Sequence, residues 1–222
     1  MRLRWHIKRA FQCFIATARR FSRGKFFVVS SRVTHQGNPH MPSRYEVADI
    51  GPIIDEIGGD NDRAAIIVGA AITEYLLQDI IEATLPPLNS DESARIFSEY
   101  GLLGTFSAKI LWAYTISQIG RDTKHDLDMI RLIRNESAHN ANPASFTTDK
   151  IRNRALTLRI AADHPDAPDA AKRFRVTAKL YLCALAYRAA ELRNVAGPEA
   201  DADPEAIEFW EACKRLAPRL KA

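Results

Sequence analysis

The sequence predicts an all-α protein, a bundle of about six to eight helices. Apolar residues recur at helical spacing over most of the chain from residue 45 onward, and glycines or prolines separate these stretches. Strand-like alternation is confined to residues 25–29. The 222 residues, 46% of them hydrophobic, suffice for a core without disulfides or metal. A helical bundle is the architecture that buries such amphipathic helices.

We divide the chain into three parts. Residues 1–44 are a basic leader, residues 45–196 the helical bundle, and residues 197–222 an amphipathic helical segment. The first helix of the bundle is predicted from four isoleucines at spacings i, i+3, i+4 and i+7, and Gly58-Gly59 ends it. These isoleucines are Ile50, Ile53, Ile54 and Ile57.

The second helix is predicted over residues 62–85, capped by Asp60 or Asn61 and ended by a proline pair. It is apolar on nearly all sides, which is typical of a central, buried helix. We do not expect it to span a membrane, because three polar residues interrupt its apolar run. They are Glu74, Gln78 and Asp79.

Two further helices are predicted before residue 121. A short one covers about residues 90–100, and Gly101 and Gly104 bracket the turn after it. The next covers about residues 105–119, and Gly120 is expected to be its C-cap.

The C-terminal half continues with helices. One is predicted over residues 122–139, with three apolar residues facing inward, and others over about residues 145–162 and 170–195. Residues 163–169, with two prolines, are a loop. The inward residues of the first helix are Leu127, Ile130 and Ile133, and the last amphipathic segment contains Ile207, Phe209, Trp210 and Leu216.

The net charge of +4 comes from an uneven distribution. Residues 1–45 contain ten Lys or Arg and no acidic residue, so the rest of the chain has 21 basic and 27 acidic residues, a net of −6. The pI of about 9.0 therefore reflects the leader. The acidic body, without a recognisable DNA-reading helix, makes direct DNA binding doubtful.

Several interpretations of the leader stay open. Its basic residues interleave with aromatic ones, as in segments that contact RNA phosphates or an anionic membrane. Its Arg-rich, acid-free composition also resembles an organelle transit peptide. Alternatively it is a disordered tail, or Met41 is the true start and residues 1–40 do not belong to the native protein. The candidate contact residues are Arg2, Arg4, Lys8, Arg9, Arg19, Arg20 and Arg23.

The run from Arg134 to His139 ends the fifth predicted helix. At 100° per residue, Asn135 and His139 fall on one polar ridge with Asp128 and Arg131, whereas Arg134 lies at the edge of the buried stripe. Arg134 and His139 are thus about 140° apart on an ideal helix. They would converge only if the helix end distorts or if a second subunit brings its copies close.

Glu74 requires a partner, because a lone carboxylate in an apolar helix is costly to bury. Arg63 shares its helical face, eleven residues away, and Lys109 and Arg134 are cations in or beside apolar surfaces. We therefore expect a structural polar network of Arg63, Glu74, Lys109 and Arg134.

Other kinds of site are not indicated. The sequence has no phosphate-binding glycine motif and no nucleophile or metalloprotease motif. The three cysteines are scattered and unaccompanied by histidine ligands, which is typical of incidental thiols in a reducing cytoplasm. We expect no cofactor, no metal and a cytoplasmic location.

Three blocks of the sequence resemble the mannitol-operon repressor family of bacterial proteins, over roughly residues 60–160. The first is Asp62-Arg63-Ala64-Ala65 with the helix to Glu74. The second is Gly101-Leu102-Leu103 with Phe106-Ser107-Ala108-Lys109-Ile110 and Ala113-Tyr114. The third is Asp126-Leu127 with Ile130 and Ile133-Arg134-Asn135-Glu136-Ser137-Ala138-His139.

The third block also resembles the Arg-x4-His signature of the HEPN superfamily, here with Asn135 after the arginine. That resemblance implies a helical bundle that often dimerises and is either a metal-independent ribonuclease or an inactive RNA-binding or regulatory module.

Two functions follow from these resemblances. The first is a regulatory protein, an expected homodimer, that acts in transcriptional or operon control through an unidentified protein partner. The alternative is a toxin-like, metal-independent endoribonuclease. There His139 would act as general acid or base toward a ribose 2′-OH, Arg134 would hold the phosphate, and Asn135 would orient either group. Whether the chain is an enzyme stays open at this stage.

Overall fold

The computed structural model describes residues 50–139, 145–194 and 204–222, except for the side chains of residues 50–52, 139 and 205–206. The described part contains eight α-helices, is 73% helical and has no strands. The prediction of an all-α bundle is confirmed. The leader and the strand-like residues 25–29 lie outside the described residues.

The described part of the chain forms eight helices in the following order. They are α1 (Ile50–Gly58), α2 (Asp62–Thr84), α3 (Ser90–Phe97), α4 (Phe106–Thr115), α5 (Arg121–His139), α6 (Asp149–Leu156), α7 (Ala170–Leu192) and α8 (Pro204–Leu216). A 3-10 helix, Ala217–Lys221, follows α8 directly.

Helix α2 occupies the centre, where it packs against α1, α4, α5 and most extensively α7. The small residue Gly69 allows the close approach to α7, because a Cβ there would come within 3.2 Å of the Ala178 Cβ. The prediction that α2 is buried on nearly all sides is only partly correct. Arg63, Ile67 and Ala71, each one turn after the last, form an exposed stripe along this helix.

In length and composition α2 is also the one helix of the described part that could cross a membrane, with a mean hydropathy of 1.6. Half of that apolar stretch is buried inside the bundle. Core helices of soluble proteins meet the same criterion, so the criterion alone decides nothing about a membrane.

Side-chain caps define where several helices begin. Asn61, one of the two predicted caps of α2, accepts the Ala64 N–H at 3.1 Å. Asn89 and Glu92 form a reciprocal capping box at the start of α3. Thr105 and Asp169 cap α4 and α7 by accepting the N–H groups of Ala108 and Lys172.

Two predicted helix ends are wrong. Helix α4 stops at Thr115 rather than near 119, and Ser117 takes a left-handed φ of 58° in the turn that follows. Gly120 is therefore not the C-cap of this helix, and its N–H instead donates to the Leu220 carbonyl at 2.6 Å. The helix predicted over 145–162 is only Asp149–Leu156, because the N–H groups of residues 159 and 160 bond to a distant carboxylate.

The C-terminal segment completes the same core. Helix α8 packs on α7, and the 3-10 helix contacts α5, α7 and α8. Cys213 and Leu220 are buried in the main hydrophobic cluster beside Cys183 of α7. We predicted the segment after residue 196 as separate from the bundle, but its described residues pack as one layer of it.

Gly120→Ala should destabilise the protein by disrupting this last layer. The added Cβ would collide with the backbone of residues 221 and 222, which cannot move without breaking the bond between Gly120 and Leu220. We expect a loss of about 1–3 kcal/mol in the free energy of unfolding, measured by urea denaturation. Gly59→Ala is the matched control, because its Cβ would lie 3.4 Å from the nearest atom. Equal stability of the two variants would contradict the proposed close approach.

Candidate functional site

Glu74 holds together three helices through two ion pairs. Its Oε1 accepts from Lys109 Nζ of α4 at 3.0 Å, and its Oε2 accepts from Arg134 of α5 at 2.7 Å. The Lys109 side chain is 8% exposed, that of Glu74 19% and that of Arg134 31%. The Arg134 guanidinium also lies over the Phe106 ring, 5.7 Å from its centroid. We call Glu74, Lys109 and Arg134 the Glu74 cluster.

Arg63 does not belong to this cluster, contrary to the expectation from the sequence. It is exposed on the first turn of α2. Positions 63 and 74 do share a helical face, but eleven residues at 1.5 Å per residue separate them by about 16 Å along the axis. A shared helical face therefore does not bring Arg63 into contact with Glu74.

The motif positions after Arg134 lie at other angles around the axis of α5. Helix α5 stays regular to His139, so positions 134 and 139 keep their angular separation of about 140°. The side chain of Asn135 is partly buried, and that of His139 lies outside the described residues. On the same ridge, Asp128 accepts from Lys124 at 2.9 Å and from Arg131 at 3.4 Å.

Glu136, also within the motif, connects α5 to α6. Its carboxylate accepts from Arg154 at 3.2 Å, and Lys150 lies 3.5 Å away. Arg154 also donates to the Leu132 carbonyl. The contact between Glu136 and Arg154 was not predicted from the sequence. The length of the segment between α5 and α6 does not determine how these two helices face each other.

A second cluster, also missed from the sequence, fixes the chain that follows α5. Asp62 at the start of α2 accepts from the Ser145 hydroxyl at 2.9 Å, the Phe146 N–H at 3.0 Å and Arg175 of α7 at 2.8 Å. Arg175 also donates to the Gly59 carbonyl and lies over the Phe146 ring. Burial alone would raise the pKa of Asp62, but these hydrogen bonds outweigh it and lower the pKa below its ordinary value.

Asp126 of α5 performs a similar task deeper in the bundle. It is fully buried and accepts from the N–H groups of Arg159 and Ile160 and from the Tyr181 hydroxyl. Burial raises the pKa of Asp126 despite these three donors. Burial and the nearby carboxylate likewise raise the pKa of Tyr181. Before the structure, the one sign of these contacts was an isolated acidic residue, Asp126, at an inward position.

The remaining candidates do not enlarge the site. The leader residues proposed for RNA or membrane contact lie outside the described part of the chain. Within that part, no group of three or more His, Cys, Asp or Glu side chains could hold a metal ion. Cys183 and Cys213 are both buried, and burial raises the pKa of the Cys183 thiol.

Comparison with known proteins adds no further constraint: no family model, no curated protein and no solved structure matches this chain.

Glu74→Ala should be the most destabilising single change in the Glu74 cluster. It would leave the nearly buried Lys109 ammonium without an anion, and it would release Arg134 as well. We expect a loss of about 2–4 kcal/mol, and a smaller loss of about 1–2 kcal/mol for Arg134→Ala because that side chain is a third exposed. Urea denaturation measures both, with Glu99→Ala as the exposed control. A Glu74→Ala loss no larger than that of the control would contradict a structural role.

Asp62→Asn should make stability less sensitive to acid. Because the pKa of Asp62 is lower in the folded state than in the unfolded chain, its stabilisation is complete above the unfolded pKa of about 4 and is lost as the pH falls through the folded value. The parent should therefore lose stability more steeply than Asp62→Asn below about pH 4. Thermal unfolding at several pH values measures this, with Asp163→Asn in the exposed loop as control. Parallel curves for parent and Asp62→Asn would disprove it.

Proposed function

We propose that this chain is a regulatory interaction protein, as its resemblance to the mannitol-operon repressor family implies. It would be a cytoplasmic homodimer that acts in transcriptional or operon control by contacting another protein rather than by reading DNA. The observation that carries the proposal is the position of Arg134, which is engaged by Glu74 and stacked on Phe106 inside the bundle.

The Glu74 cluster physically connects the three blocks of that resemblance. Glu74 ends the first block, Lys109 lies in the second and Arg134 in the third. Each block thus supplies one member of an ion cluster that joins α2, α4 and α5. A set of blocks that builds a bundle supports a shared architecture and does not require a shared reaction.

The ribonuclease alternative is weaker on the same evidence. To hold a phosphate, Arg134 would have to share its guanidinium with a carboxylate 2.7 Å away, which repels the incoming anion. Leaving the pair would remove one of the two cations that compensate the largely buried Glu74 carboxylate. The 31% exposure of the Arg134 side chain is the observation that supports this alternative, because a phosphate could contact the exposed part of the guanidinium.

Charge also favours a protein partner over DNA. Outside residues 1–45 the chain carries a net charge of −6, which repels the phosphate backbone. The cations of the described helices are largely committed to carboxylates, as in the pairs of Arg154 with Glu136, Arg175 with Asp62 and Arg193 with Asp79.

Three experiments test the proposal, and two of them use the purified full chain. Incubation with total RNA in EDTA should leave the RNA intact, because Arg134 is held by Glu74. Deleting the gene should change the level of a small set of transcripts, and both the parent and Asn135→Ala should restore it. The purified protein should not retard DNA from upstream of those genes.

Each opposite result has a definite meaning. RNA cleavage that is lost in a folded Asn135→Ala variant would make the protein a ribonuclease, since Asn135 lies outside the Glu74 cluster. Sequence-specific retardation of the upstream DNA would replace protein contact by direct DNA reading. Unchanged transcripts in the deletion strain would overturn the regulatory role itself.

A further inference from the structure

The outer face of α4 carries no charge. Lys109 is the only charged residue of this helix, and it points inward to Glu74. The outward positions are Ser107, Leu111, Trp112, Tyr114 and Thr115. Solvent-facing helix surfaces normally carry charged residues, so this face differs from the exposed surface of the neighbouring α3.

Exposed apolar side chains concentrate on α4 and on the turn before it. Seven large hydrophobic residues are exposed in the described part of the chain, and five of them lie between residues 100 and 115. Those five are Tyr100 at 95% exposure, Leu102 at 82%, Leu111 at 58%, Trp112 at 40% and Tyr114 at 38%. We call them the α4 surface.

The α4 surface exposes a large apolar area. Taking about 200 Å² for a large side chain, the five residues together expose roughly 600 Å². The turn folds back on α3, since the Leu102 and Leu103 N–H groups donate to the Arg95 and Ile96 carbonyls. On α3 and this turn Asp91, Glu92 and Glu99 are exposed against one exposed cation, Arg95, and we call these carboxylates the acidic edge. An apolar surface with an acidic edge fits a segment that is both apolar and basic.

The leader of this same chain has that composition. Residues 1–45 hold ten Lys or Arg and no acidic residue. Phe11, Phe14 and Ile15 stand at the i, i+3, i+4 spacing of one helical face, with Trp5 and Phe21 on either side in sequence. We propose that the leader docks on the α4 surface of its own chain, its aromatic residues on Leu111, Trp112 and Tyr114 and its cations beside the acidic edge.

A second copy of the chain fits this surface less well. In a two-fold dimer the α4 surfaces would face each other, so that the acidic edges of two bodies with a net charge of −6 each would come together. The leader supplies the opposite charge instead. Its attachment to the chain also gives it an effective concentration near the millimolar range, which favours docking within one molecule.

The cysteines of the native chain allow a direct test. Cys183 and Cys213 are buried, so a nitroxide reagent applied to the folded full-length protein should couple to Cys13 in the leader. Mass spectrometry checks that a single label is attached. In the ¹⁵N-labelled protein at low ionic strength, the nitroxide should broaden the amide signals of residues 100–115 and leave those of α6 sharp.

Substitutions on the α4 surface should abolish this broadening. Leu111→Asp places a negative charge in the middle of the surface without removing a core side chain. Leu156→Asp is the matched control, because Leu156 is 41% exposed on α6, away from the acidic edge. Leu102→Asp in the turn serves the same purpose as Leu111→Asp if the latter does not fold. Phe11→Ser should abolish the broadening from the leader side.

Three results would overturn the inference. One is sharp signals for residues 100–115 in the labelled parent. Another is broadening that survives in folded Leu111→Asp or Leu102→Asp. The third is broadening in a mixture of unlabelled-cysteine ¹⁵N protein with nitroxide-labelled ¹⁴N protein, since the leader of another copy would then occupy the surface. None of these measurements depends on RNA cleavage or transcript levels, so the inference and the proposed function fail separately.

Discussion

The arrangement of the central helices depends on one carboxylate in an apolar environment. Glu74 lies in the middle of α2, which packs against α1, α4, α5 and α7. Taking a carboxylate out of water costs several kcal/mol unless cations and hydrogen bonds replace the solvent. Lys109 and Arg134 supply both, so α4 and α5 must lie where their cations reach Glu74. The hydrophobic effect favours any compact packing of these helices, whereas the ion pairs favour one register between them.

The same principle recurs in the connections, where carboxylates on helices hold irregular backbone. Asp126 accepts two consecutive N–H groups beyond the end of α6, and Asp62 accepts the N–H of Phe146 after α5. Buried backbone donors outside helices need such partners, because no helical carbonyl reaches them. The two carboxyl groups differ in the balance between burial and bonding. Burial prevails at Asp126 and raises its pKa, whereas hydrogen bonds prevail at Asp62 and lower it.

The sequence was sufficient wherever local patterns decide the structure. Helical spacing predicted the class and the positions of the main helices, and the inward residues Leu127, Ile130 and Ile133 are fully buried. The cost of burying Glu74 was enough to name Lys109 and Arg134 as partners. Arg63 was wrongly included, because a shared helical face does not bring residues eleven positions apart into contact. The errors in the helix ends occur where a distant group decides. The end of α6 depends on Asp126, and Gly120 is occupied by the C-terminal backbone, neither of which is visible in neighbouring residues.

The residues of the Arg-x4-His motif do not by themselves determine what the motif does. On a regular helix, positions 134 and 139 lie about 140° apart around the axis. The motif alone therefore does not bring the two positions together. What engages Arg134 is Glu74, sixty residues earlier in the chain, and nothing within the motif encodes that residue. With an apolar residue at position 74, the guanidinium would lack its strongest partner and would be available to a phosphate. The chemical role of the motif is therefore determined by a residue outside it. In this chain that residue is a carboxylate, which joins Arg134 of α5 to α2.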